Sequence, residues 1–190
     1  GLGDVYKRQV VDYLAHIGGV KQWEYRPEIK TTEQLWENFK AIIERNNQAR
    51  LERPLSVTEF NQVKKVITAI SYPYQAGQFL YGVNGVSEVE VDLDDGRHVF
   101  LTIFDQAKVG GGTTSYQVVN QIERKKVVDG KPNRRFDVTL LINGLPIIQI
   151  ELKKALHSTR ESLNQMEQYI AEKQYSDIFS CLLYTSPSPR

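Results

Sequence analysis

Cysteine is nearly missing from this 190-residue chain; Cys181 is the only one. A disulfide framework is thereby excluded, as is any zinc or iron–sulfur site built on thiolates, and an intracellular setting is favoured. Histidine is almost as scarce. His16, His98 and His157 share no metal-ligand spacing, so each is expected at the surface or as core filler. Met166 is the only methionine, the chain has no initiator, and no apolar stretch near its start would serve as a secretory signal. No run approaches the ~20 apolar residues of a membrane span. Gly110-Gly111-Gly112 is glycine-rich, but it lacks the Gly-Lys-Ser/Thr ending of a phosphate-binding loop.

The two ends are unlike the rest. GLGDVYKRQ (1–9) back-translates to a DNA string whose reverse complement, read one base in, encodes CLLYTSPSP (181–189). Two tails encoded by one element in opposite orientations look like translated sequencing adapter. Residues 1–9 and 181–190 are therefore set aside, and residues 10–180 are expected to be an internal piece of a longer gene. Without the tails the formal net charge falls from +1 to −1, because Asp4, Lys7, Arg8 and Arg190 carry +2 between them. A domain of that charge does not hold nucleic acid by bulk electrostatics, so any such contact is local or delivered by a partner.

Two helices are predicted over about 31–72. Thr31-Thr32-Glu33-Gln34 offers a capping box, followed at helical spacing by Leu35, Trp36, Phe39, Ile42 and Ile43. Ser56-Val57-Thr58-Glu59 is a second box, followed by Phe60, Val63, Ile67 and Ile70, with Tyr72-Pro73 as its stop. From Ser87 the period changes to two. Residues 88–93 and 97–104 read as strands around Asp95-Gly96, and 116–126 as a third. A hairpin over 134–154 and a helix over 158–173 follow. Helices, then a strand meander over about 87–154, then a helix indicate an α/β or α+β domain with a mixed sheet flanked by helices.

The hairpin RRFDVTLLINGLPIIQIELKK (134–154) carries charge where a core strand does not want it. Alternation puts Gln149, Glu151 and Lys153 on one face and Ile148, Ile150 and Leu152 on the other; in the preceding strand Asp137 and Thr139 oppose Val138, Leu140 and Ile142. A two-residue turn at Asn143-Gly144 sets polar faces beside apolar ones. A three-residue connection with a bulge restores agreement, so that register is expected, with Asp137, Glu151 and Lys153 together. Two carboxylates and a lysine suit Mg²⁺-assisted phosphodiester hydrolysis, since this hard ion takes oxygen ligands and lowers the pKa of a bound water. A solvated Glu-x-Lys pair is the bland alternative. In the last helix Leu163, Met166 and Ile170 form the expected buried stripe. Gln165 and Tyr169, at i and i+4, lie at its margin, either as boundary residues or reaching a phosphate or the lysine.

Asp137, the thirteen residues before Glu151-Leu152-Lys153, the Asn143-Gly144-Leu145-Pro146 turn and Gln165-x-x-x-Tyr169 together resemble one family. It is the N-terminal nuclease domain of the restriction (motor) subunit of type I restriction-modification enzymes, within the PD-(D/E)xK fold and its RecB-like branch. The resemblance runs from about Thr31 to Phe179 and includes Val118-Val119-Asn120-Gln121 and Arg134-Arg135-Phe136-Asp137; Phe136 stands where the fold's eponymous proline would be.

The resemblance implies Mg²⁺ on Asp137 and Glu151, a water positioned or activated by Lys153, and support from Gln165 and Tyr169. It further implies a prokaryotic, cytoplasmic enzyme that cuts unmodified double-stranded DNA. ATP would be used only by a motor domain of the full-length subunit, in complex with modification and specificity subunits. Alternatives are a stand-alone nuclease of the same fold for repair or junction cleavage, and an inactive DNA-binding or docking module. An open sheet edge and marginal stability are expected where the fold stops at residue 180. Arg124, Lys125, Lys126, Lys131, Arg134 and Arg135 surround the entry to the hairpin, as a solvated loop or a DNA-backbone contact.

Overall fold

The computed structural model describes residues 2–16, 23–110, 112–152 and 159–187. In chain order the elements are α1 (Leu2–His16), β1 (Glu24–Tyr25), α2 (Thr32–Asn46), α3 (Gln48–Leu51), α4 (Val57–Thr68), α5 (Pro73–Tyr81), β2 (Val86–Asp92), β3 (His98–Asp105), β4 (Tyr116–Arg124), β5 (Arg134–Ile142), β6 (Leu145–Glu151), α6 (Thr159–Ala171) and β7 (Tyr184–Pro187). A short 3₁₀ helix, Asp177–Cys181, precedes β7. The fold is α+β with a mixed sheet in the order β1-β4-β5-β6-β7. Its central strands are antiparallel, and each edge strand runs parallel to its neighbour.

Both capping boxes form as their sequences predict: Thr31 with Gln34 starts α2, and Ser56 with Glu59 starts α4. Each satisfies two backbone donors that a helix start leaves open. Leu35, Trp36, Phe39, Ile42 and Ile43 are the buried face of α2. Tyr72-Pro73 is not the stop of α4, however; that helix already ends at Thr68, and Pro73 opens α5, a helix missed from the sequence. Proline's fixed φ and absent N–H suit a first helical turn.

The strand meander also divides. β2 and β3 pair only with each other, in a separate two-stranded sheet. Two asparagines tie this hairpin to the rest. Asn47 accepts from the Thr102 backbone N–H (2.8 Å) and donates to its carbonyl (2.9 Å). Asn143 donates to the Ile103 carbonyl (3.0 Å) and accepts from the Ser115 N–H (2.9 Å). Both are buried, so each satisfies backbone groups that would otherwise be costly to bury.

The apolar interior falls into two clusters. The larger gathers Phe39, Val63, Leu101, Val119, Leu141 and Phe179 between the mixed sheet, the helices and the small sheet. The smaller lies on the other sheet face, where Val118, Val138 and Leu140 meet Val10, Val11 and Leu14 of α1. Segments set aside as tails take part in secondary structure: α1 begins at Leu2, and β7 lies on β6. The sheet edge expected beyond residue 180 is thus β7, and β6 is interior to the sheet.

Candidate active site

The β5–β6 hairpin sets the site, by a route different from the one its sequence suggests. Asn143 and Gly144 are both left-handed (φ +49° and +81°), and Ile142 pairs directly with Leu145, so the turn has two residues rather than three. The correction to register comes later. Leu141 pairs with Pro146 but Leu140 with Ile148, so Ile147 is an extra residue, a bulge in β6. Beyond it Val138 pairs with Ile150 and Thr139 with Gln149, which restores the alignment of like faces. Gly144 has no freedom to be anything else: a Cβ there would lie 2.8 Å from the Phe39 Cα.

Past the bulge, two carboxylates are brought together. The Leu152 backbone N–H donates to Asp137 Oδ2 (2.9 Å), locking the end of β6 against β5. Glu151 is buried, and both its oxygens accept from amides: Gln149 Nε2 on Oε1 (2.9 Å) and Gln165 Nε2 on Oε2 (3.3 Å). The Thr139 hydroxyl donates to Gln149 Oε1 (2.8 Å), and Gln165 also donates to the Tyr169 hydroxyl (2.6 Å). A chain of polar side chains therefore runs from β5 through β6 to α6, with Glu151 in its centre. Burial pushes the Tyr169 phenol above its ordinary range, and the Glu151 charge adds to the shift. The Tyr175 phenol is raised for the same two reasons.

α6 is pinned by its C-terminal half. Arg134 donates to both oxygens of Glu172 (2.8 and 2.6 Å) and lies over the Tyr169 ring (5.5 Å). Phe136 packs against Tyr169, Tyr175 and Phe179 with ring centroids 4.9–5.8 Å apart. The helix is therefore rotated relative to its expected stripe. Met166 and Tyr169 are buried, whereas Leu163 and Ile170 are 51% and 64% exposed. Packing on Phe136 outweighs the greater apolarity of those two side chains, and it brings Gln165 onto Glu151.

Of the residues expected at the site, Asp137, Glu151, Gln165 and Tyr169 are gathered here. Lys153 lies outside the described residues, as does His157. Gln121 was not singled out for the site, yet its Nε2 donates to Asp137 Oδ1 (3.2 Å) from the middle of β4. Its φ is +58°, a left-handed backbone that costs a non-glycine residue about 1 kcal/mol or more. It also breaks the strand's alternation: Ile122 and Phe136 share parity with Val118 and Val138 but pack in the opposite cluster. The signal was the β4–β5 register, in which Gln121 falls across from Asp137 between the pairs Asn120–Val138 and Ile122–Phe136.

The basic residues around the hairpin entry are largely engaged. Arg124 is buried and donates to the Gln174 carbonyl (3.1 Å) and the Ser176 hydroxyl (2.9 Å). Arg134 holds Glu172, Arg135 pairs with Glu123 (2.8 Å), Lys125 with Glu33 (3.4 Å) and Lys126 with Asp129 (3.7 Å). Two of them are structural braces rather than a free cationic surface. Among the described residues no three or more of His, Cys, Asp and Glu cluster so as to hold a metal. No described helix is long and apolar enough to cross a membrane.

The sequence matches a profile for the N terminus of the type I restriction enzyme R protein over residues 11–185. The chain belongs to this family. Among curated relatives, the type I restriction enzyme SauMSSORF170P endonuclease subunit of Staphylococcus aureus (strain MSSA476) is 30% identical over 155 residues, 81% of this chain and 15% of the relative. The SsaAORF53P endonuclease subunit of Staphylococcus saprophyticus is 29% identical over 152 residues, 80% of this chain and 15% of the relative. The EcoprrI endonuclease subunit of Escherichia coli is 38% identical over 85 residues, 45% of this chain and 25% of the relative. The chain thus spans about a seventh of the staphylococcal proteins, and membership places it at the N-terminal end of an R protein.

Proposed function

We propose that these residues form the nuclease domain of a type I restriction endonuclease subunit, hydrolysing DNA phosphodiester bonds with Mg²⁺. The observation that carries this reading is that Asp137, within β5, accepts from the N–H of Leu152, the residue after Glu151 at the end of β6, in a chain of this family. Their donors suit the ion. Two carboxylates supply hard oxygens, and Mg²⁺ normally completes its shell with water and phosphate. Bound there, it stabilises charge on the phosphate oxygens and acidifies a water.

The chain's own residues do the rest. Asp137 and Glu151 hold the ion, and Gln149 and Gln165 keep the Glu151 carboxylate in one orientation through neutral amides that leave its charge intact. Lys153 follows Glu151 by two residues and holds or takes the proton of the attacking water. Tyr169 fixes Gln165. In the full-length subunit an ATP-driven motor moves unmodified double-stranded DNA to this site, in complex with modification and specificity subunits in a prokaryotic cytoplasm. The test is Asp137→Ala and Lys153→Ala in that full-length subunit. Each is expected to lower cleavage by about 10³-fold or more while ATP hydrolysis continues. Cleavage that survives either change refutes the assignment.

A further inference from the structure

We infer that Gln121 is a positioning residue for Asp137, an inference that rests on the metal-site reading above. Gln121 sits mid-strand with φ +58°, a conformation that glycine or asparagine takes far more readily. A side chain kept there against its backbone preference is held by its surroundings. The neighbouring residue is clamped: Lys30 Nζ donates to the Asn120 carbonyl (2.7 Å) and to Asn120 Oδ1 (2.6 Å), and the Tyr25 hydroxyl reaches the same oxygen (3.1 Å). The Gln121 amide then donates to Asp137 Oδ1, while Leu152 N–H takes Oδ2.

Asp137 is therefore gripped on both oxygens from its two neighbouring strands, which fixes the plane of the carboxylate. A neutral amide suits this role. It orients the group and adds no charge of its own, whereas a lysine or arginine at the same place would compete with a cation. Outer donors of this kind set how well a carboxylate binds metal.

Two substitutions separate this role from the strained backbone. Gln121→Met keeps the length and the backbone cost but deletes the donor; Gln121→Gly deletes both. Mn²⁺ binding by electron paramagnetic resonance and thermal melting are measured on the full-length subunit, with Asp137→Ala alongside. Gln121→Gly is expected to melt at or above the unsubstituted temperature, and both variants to bind Mn²⁺ on the order of ten-fold more weakly. Unchanged Mn²⁺ affinity in both, with binding lost in Asp137→Ala, overturns the role of Gln121 alone. So does failure of Gln121→Gly to fold, which makes the residue structural. Full binding in Asp137→Ala overturns the metal-site reading itself, and the role of Gln121 with it.

Discussion

Tyr169 shows how much one hydroxyl does at this site. Its ring is buried against Phe136, while its oxygen accepts from Gln165, which also donates to Glu151. Tyr169→Phe should cost about 1 kcal/mol of stability in urea melts, the worth of one hydrogen bond. Cleavage by the full-length subunit should fall about ten-fold, as expected when a residue that orients the proposed metal ligand Glu151 is loosened. Glu59 carries a different consequence. It is buried and accepts from Arg53 through both guanidinium nitrogens, and from the Ser56 and Asp94 backbone N–H groups. Arg53 above all holds its carboxyl down at about 2, against an ordinary 4.5. A lowered folded-state pKa gives stability that is complete above the unfolded value and lost as pH falls towards the folded one. Stability of the unsubstituted protein should therefore drop between pH 4.5 and about 2 more steeply than that of Glu59→Gln. Denaturant melts at stepped pH will show parallel curves if this ion pair is immaterial.

At the scale of elements, the β5–β6 hairpin shows what a sequence can and cannot convey. Asn-Gly marked the turn, and the alternation of faces demanded one extra residue somewhere in the hairpin. Local sequence does not say where. The structure puts it at Ile147, and leaves a two-residue turn whose Gly144 lies against the Phe39 backbone. Gly144→Ala should then cost about 2 kcal/mol or more, from a left-handed alanine and a backbone clash together. Equal stability in urea would contradict the tight turn. Deleting Ile147 should abolish cleavage by turning Glu151 to the α1 face. The capping boxes of α2 and α4 were legible because they are local. The start of α5 at Pro73, the split of the strand meander into two sheets and the rotation of α6 were not. The last two are decided by contacts distant in sequence, Asn47 and Asn143 fastening β3 and Phe136 drawing in Tyr169, whereas α5 starts on the ring of Pro73 itself.

For the molecule as a whole, the near-neutral charge and the engaged basic residues point the same way. Arg124 and Arg134 are tied to the segment around α6 rather than offered to a polyanion. Arg124→Ala should destabilise the fold by about 2–3 kcal/mol, since it strips partners from buried backbone and hydroxyl groups. Arg135→Ala and Lys125→Ala, which disrupt exposed pairs, should each cost less than about 1 kcal/mol. DNA reaches Asp137 and Glu151, on this account, through the remainder of a subunit of which the matched region is about 15% in the staphylococcal relatives. Four residues of the proposed site were legible as face-sharing strand positions and an i, i+4 pair; Gln121 was not, because its place beside Asp137 depends on pairing with a strand position sixteen residues away.

The measurement that addresses the central claim most directly is iron-directed affinity cleavage of the full-length subunit. Fe²⁺ replaces Mg²⁺, ascorbate and peroxide are added, and the polypeptide scission sites are mapped. Cuts confined to the backbone beside Asp137 and Glu151, suppressed by excess Mg²⁺ and absent in Asp137→Ala, are the predicted result. Cuts clustered elsewhere, or a pattern indifferent to Asp137→Ala, would contradict the assignment of this hairpin as the metal site.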